Sequence, residues 1–152
     1  MNETAAPPYT CSCSRAREVL SSLRHAGAAV EARLERCLEP WGLSLAKMGA
    51  LDTLMTAGGP LPLGQLAERL CCVKSNVTQL VDRLEAEGLV RRVPDPEDRR
   101  SVLAVVTDEG RERFAQAAEA RARVEQELLA QLVEDELERL QEMIRKVVPR
   151  GI

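Results

Sequence analysis

Between positions 74 and 84 the chain interleaves Lys74, Ser75, Asn76, Thr78, Gln79 and Arg83 with Val77, Leu80, Val81 and Leu84. In a helix, residues three and four apart share a face, so the apolar side chains turn one way and the hydroxyls and amides the other. A carboxamide such as Asn76 or Gln79 can bond adenine at two points, and the hydroxyls of Ser75 and Thr78 bond base edges less selectively. Lys74 and Arg83 bracket that face where phosphates would pass. Further on, Arg91-Arg92 and Arg99-Arg100 form two arginine pairs. Arg99 and Arg100 suit a narrow minor groove, where the negative potential is raised.

Thiols are the other reactive groups: Cys11, Cys13, Cys37, Cys71 and Cys72, beside a single histidine, His25. The odd count and the lack of any Cys-x-x-Cys pair argue against a disulfide framework and against a zinc site. Cys37 and Cys72 are expected to fill core positions as small hydrophobes. Cys11 and Cys13, close to Arg15 and Arg17, are expected to be exposed and open to oxidation or to a soft metal such as Cu(I), with Cys71 as a further donor. A thiol oxidoreductase built on Cys11 and Cys13 is the enzymatic alternative. No glycine-rich phosphate loop, nucleophile elbow or paired-carboxylate site accompanies them, so neither an enzyme nor a cofactor is expected.

The elements that must hold these residues fit one domain. The chain has 152 residues, 45% apolar and 30% charged, as in a globular protein with a real core. Aromatics are only 2%, which favours Leu/Ala/Val helix packing over a large β-sandwich. No apolar run approaches the ~18 residues of a membrane span. Residues 1–10 lack the basic and apolar segments of a secretion signal, so the cytoplasm is expected and no membrane partner is. Net charge is −3, yet residues 69–100 carry seven basic and six acidic groups and are the least acidic stretch. Distant carboxylates are screened beyond ~8 Å at physiological salt, so a local basic face can still meet DNA.

Pro7-Pro8 and the scarcity of large apolar groups predict a flexible tail over 1–13. Ser14 is expected to cap a first helix running through Val19, Leu23, Val30 and Leu34 to Pro40 and Gly42. Ser44 caps a second, with Met48, Leu51 and Leu54 on one side. Two short helices follow, separated at Cys71–Lys74, and Gly88 ends the second in the left-handed conformation. Strand-like runs at 89–93 and 101–106 flank a charged turn and predict a hairpin. Thr107 opens a long helix, and Asp135 with Glu138 reads as a capping box for the last one. Two short helices followed at once by a hairpin make a winged helix-turn-helix pattern. The fold class expected is mainly α with a small β-hairpin wing. Residues 14–152 form its one domain, with a DNA-binding lobe at 44–106. The long helices at 14–40 and 108–148 have apolar faces too large for so small a core, and antiparallel packing in a homodimer would bury them.

The stretch LAERLCCVKSNVTQLVDRLEAEGLVRRVPDPEDRRSVLAVVTDEG, Leu66 to Gly110, resembles the MarR (multiple antibiotic resistance) family of bacterial transcription regulators. Its most specific piece is Asp98-Arg99-Arg100 followed by a short strand and Thr107-Asp108-Glu109-Gly110, similar to that family's wing signature. The resemblance implies a homodimeric regulator, typically a repressor, whose recognition helices enter major grooves of double-stranded DNA on a pseudo-palindromic operator. It gives Asp98 the role of a salt-bridge residue in the wing. It also implies release by a small-molecule effector or by thiol oxidation. His25, Trp41 and Met48 are candidates for lining an effector pocket between the dimer helices and the DNA-binding lobe. The chain departs from the family where Cys71 replaces a common glycine and Val73 a common capping hydroxyl, which predicts an adjusted turn. A winged-helix protein-interaction module without DNA binding remains the second reading.

Overall fold

The computed structural model describes residues 10–98 and 101–148. A 29-residue helix, α1 (Thr10–Leu38), leads through a 3-10 turn at Glu39–Trp41 into α2 (Leu45–Thr56). The short strand β1 (Leu61–Pro62) precedes α3 (Leu63–Arg69) and α4 (Lys74–Ala86). The hairpin β2 (Val90–Pro94) and β3 (Val102–Val106) follows, then α5 (Asp108–Leu129) and α6 (Glu134–Val147). No helix among the described residues is long and apolar enough to cross a membrane.

Local chemistry explains most boundaries. Gly42, at φ +66°, turns the chain out of the 3-10 helix. The Ser44 hydroxyl accepts from the Lys47 amide at 3.2 Å, capping α2. Gly88, at φ +73°, ends α4 in the left-handed conformation. Thr107 does two jobs: its Oγ1 accepts from the Gly110 amide at 3.0 Å and donates to the Gly88 carbonyl at 2.6 Å. The start of α5 is thereby tied to the end of α4.

Three expectations need correction. The first helix starts at Thr10, so Ser14 lies inside it, and its hydroxyl bonds Glu18 at 3.3 Å instead of capping. Residues 10–13 therefore belong to α1, not to a tail; they contain no proline or glycine that would stop the helix extending back from 14. Residues 1–9, the rest of the expected tail, lie outside the described residues. The last helix is capped two residues earlier than Asp135 and Glu138 suggested: the Glu136 carboxylate returns to the Val133 amide at 3.1 Å. The sheet has three strands, not two, in the order β1-β3-β2, all antiparallel. β1 pairs Leu61 with Ala104, and β2 pairs Val90 with Val106 through Pro94 with Val102. A two-residue strand containing a proline has no readable period, and Pro62 survives there because β1 is an edge.

One core joins these elements. Leu38 at the end of α1, Leu51 and Leu54 of α2, Leu66 of α3, and Val77, Val81 and Leu84 of α4 are buried together with Leu89, just before β2, and Val90 and Ala104 of the sheet. Only Ala117 represents the later part of α5 in that core, and α6 has no buried residue. The helical arms thus extend beyond the small lobe that forms the packed unit.

Candidate nucleic-acid interface

Burial of Val77, Val81 and Leu84 fixes the rotation of α4 about its axis. That rotation leaves Lys74, Ser75, Asn76, Thr78, Gln79 and Arg83 all exposed, on the face expected from their spacing. The Thr78 hydroxyl donates to the Lys74 carbonyl at 3.0 Å, which fixes its rotamer while its oxygen can still accept.

The turn before α4 keeps a left-handed residue where Cys71 stands in place of the family's common glycine. Cys71 is held at φ +51°, the one non-glycine residue with positive φ among those described. Its amide donates to the Glu68 carbonyl at 3.1 Å, and the Cys72 amide to the Ala67 carbonyl at 3.0 Å. Val73 occupies the N-cap in extended backbone with no side-chain hydrogen bond.

The wing is joined to α4 by a contact that sequence reasoning missed. Arg92, on β2, bonds Glu85 through Nη1 at 2.6 Å and pairs through Nη2 with Asp82 at 2.6 Å. Nη2 also donates to the Thr78 carbonyl at 3.3 Å, and the Arg92 amide donates to the other Glu85 oxygen at 2.9 Å. The backbone amide of Arg92, followed by its side chain, lowers the Glu85 pKa from its ordinary value. Partial burial works against the Arg92 charge, but hydrogen bonds to Asp82 and Glu85 outweigh it and raise its pKa. Arg92 offsets one of the two negative charges that Asp82 and Glu85 place on α4, and so weakens their repulsion of a phosphate backbone. Arg91, its neighbour in the strand, is exposed, as side chains alternate across a sheet. The available signal was that alternation, which predicts that one arginine of the pair turns inward.

At the wing tip, the Asp95 carboxylate accepts from the Glu97 amide at 3.0 Å, and the Ser101 amide donates to the Asp98 carbonyl at 2.8 Å. Asp98 itself is exposed. Arg99 and Arg100 lie outside the described residues. A second support pins the base of the lobe: Lys47 Nζ bonds both Glu87 oxygens, at 2.6 and 2.8 Å, and the Gly42 carbonyl at 2.9 Å.

The three residues nominated for an effector pocket fall in separate surroundings. His25 is exposed on α1 and bonds the Ser21 carbonyl at 2.7 Å through Nδ1. Trp41 is half-buried beside a surface groove lined by Pro40, Glu112, Arg113 and Gln116. Met48 is buried and lines a cleft of about 250 Å³ with Asp52, Phe114, Arg121 and Glu125. Helical spacing places a residue on a face, but it cannot say which faces of different helices meet.

The thiols divide as well. Cys11 and Cys13 lie in the first turn of α1, with side chains outside what the structure describes. Cys37 packs against the core, and its Sγ donates to the Leu34 carbonyl at 3.0 Å. Burial, partly offset by Arg121, pushes its pKa up. Cys72, expected in the core, is exposed together with Cys71. Both sit on the corner itself, where the chain leaves α3 before Val77 begins the buried face of α4.

A helix pair with a tight corner, followed by a hairpin strapped to the second helix, defines a winged helix-turn-helix protein. The family model described as "MarR family" matches residues 43–102. The HTH-type transcriptional repressor MdtR of Bacillus subtilis is 30% identical over 108 residues, which are 71% of this chain and 69% of that protein. An uncharacterized HTH-type transcriptional regulator of the same organism, YkoM, is 42% identical over 71 residues, 47% of this chain and 46% of its own length. Among solved structures, a cysteine-to-serine mutant of MarR from E. coli complexed with operator DNA superposes with a TM-score of 0.75 at 28% identity, covering 86% of this chain and 94% of that one. The chain belongs to the MarR family, whose members are transcription regulators and not enzymes.

Proposed function

We propose that the protein is a sequence-specific DNA-binding repressor that acts as a homodimer in the cytoplasm on a pseudo-palindromic operator. The observation that carries this reading is the solvent-facing row Ser75, Asn76, Thr78 and Gln79 on a helix whose opposite face is locked in the core. In it, α4 enters the major groove, Asn76 and Gln79 read base edges, Ser75 and Thr78 add hydroxyl contacts, and Lys74 and Arg83 take phosphates. The wing carries Arg99 and Arg100 toward the adjacent minor groove, with Asp98 at the foot of that turn. The MarR–operator complex supports the same orientation by the likeness of the two folds. An effector that loosens this grip fits best in the cleft between α2 and α5 around Met48 and Phe114, within reach of both the helical arms and the lobe.

Quantitative gel shifts on the DNA upstream of its own gene test the reading. Asn76→Ala is expected to lower specific affinity by about 5- to 150-fold, the loss of one good base contact, while nonspecific binding is unchanged. Affinity for both should fall steeply with salt as counterions are released. Undiminished operator affinity in Asn76→Ala and in Gln79→Ala would remove the assignment of α4 as the reading helix.

A further inference from the structure

Cys71 and Cys72 are consecutive, both exposed, and placed at the corner that sets the start of the reading helix. Their amides are already bonded to Glu68 and Ala67, so the thiols are the corner's reactive groups. Consecutive Cα atoms are ~3.8 Å apart across a trans peptide, which brings two side chains within reach of one bridging atom. A direct disulfide would have to close at ~2.05 Å between sulfurs across a planar peptide, a strained ring. A larger bridging atom holds the sulfurs further apart and relieves that strain. Val73, 63% exposed immediately beyond the pair, offers an apolar surface next to the thiols.

We propose that Cys71 and Cys72 form a two-thiol site for trivalent organoarsenicals, and that filling it weakens DNA binding. The step is a condensation: both thiols displace the oxygen of R–As=O, two As–S bonds form, and the two thiol protons leave with that oxygen as water. Arsenic remains trivalent, so no oxidant or reductant takes part. The bridge fixes the side chains of a residue held at φ +51° and its neighbour, directly before Val73, the N-cap, and Lys74. The arsenic substituent then stands beside Val73 at the entry of α4. Cys37 does not compete, because it is packed against the core with its hydrogen bonded to a carbonyl. The effect on DNA rests on the function proposed above; the site does not.

The test uses the full chain with Cys11, Cys13 and Cys37 changed to serine, treated with phenylarsine oxide. Intact-mass spectrometry is expected to find one adduct per chain with loss of one water, stable to excess monothiol and reversed by a dithiol. Cys71→Ser and Cys72→Ser, made singly in that background and checked for folding by circular dichroism, should each lose the monothiol-resistant adduct. A monothiol-resistant adduct that persists in either single variant, or is absent from the parent, overturns the site. On operator DNA the adduct should lower affinity at least about tenfold, restored by dithiol; an adduct with unchanged affinity overturns the regulatory half. If untreated protein binds no DNA, the repressor reading and the regulatory half fail together, while the mass spectrum still decides the site.

Discussion

A methyl group on Gly110 would run into the carbonyl oxygen of Leu89 and crowd Val106 at 2.9 Å. The backbone of α5 can approach the strand entrance closely because no Cβ stands between them. The contact matters because the Leu89 carbonyl also accepts from the Thr107 amide at 3.0 Å. Gly110→Ala is therefore expected to cost about 1–3 kcal/mol or more, as overpacking does, and to lower the melting temperature by several degrees. Gly49→Ala is the control: the nearest atom to its added Cβ is a Leu70 methyl at 3.9 Å, an ordinary contact, within α2. It should stabilise by about 0.5–1 kcal/mol, and equal melting temperatures in the two variants would refute the close-approach account. The glycine's position was legible as part of Thr107-x-x-Gly110, but its cause was not. The colliding oxygen lies on Leu89, far upstream in sequence, and only the fold brings it there. Cys71 is the opposite case: its positive φ is the conformation of the glycine that the family resemblance places there.

At the scale of elements, most of the lobe could be read directly. Val77, Leu80, Val81 and Leu84 repeat at helical spacing, and Ser44, Gly88 and Thr107 carry their boundaries in their own chemistry. What escaped were features made by pairing: β1, which exists only because β3 lies beside it, and the Arg92 cluster that fastens wing to helix. That cluster has a pH signature. The pKa of Glu85 is lowered in the folded state, so its contribution is complete above the ordinary value of 4.5 and is lost as pH falls through the folded value. Glu85→Gln should be less stable than the parent at neutral pH, by no more than about 1 kcal/mol because the group is partly solvated. The difference should shrink below the ordinary carboxylate range as the parent protonates. Thermal melts of both proteins from about pH 7 to about pH 3 check this, and a gap that stays constant or widens on acidification would contradict it.

The whole molecule leaves apolar surface that its own core does not reach. Val19, Leu20, Leu23 and Val30 are exposed along α1, and Met143, Ile144, Val147 and Val148 along α6 and its end. Within the chain α6 buries no residue, although an isolated helix of its 14 residues is marginal in water. In the homodimer proposed above, a second copy would supply the missing surface, each face meeting its own counterpart across a two-fold axis. The arms were legible in sequence as helices with too much apolar face, but how two sets of arms interlock depends on a partner's surface and has no local signature. Ile144→Glu places a charge in that proposed interface, where it would be desolvated without a partner. Light scattering at micromolar concentration should give the parent as a dimer and the variant as a monomer, with helicity reduced by the share of α6. Operator affinity should fall with it, because two half-sites bound through one dimer gain from high effective concentration and a monomer does not. The lobe should stay folded, since none of its core residues comes from α6. A parent that is already monomeric would remove the proposed homodimer, and a variant that remains dimeric with full operator affinity would place the contact elsewhere than on α6.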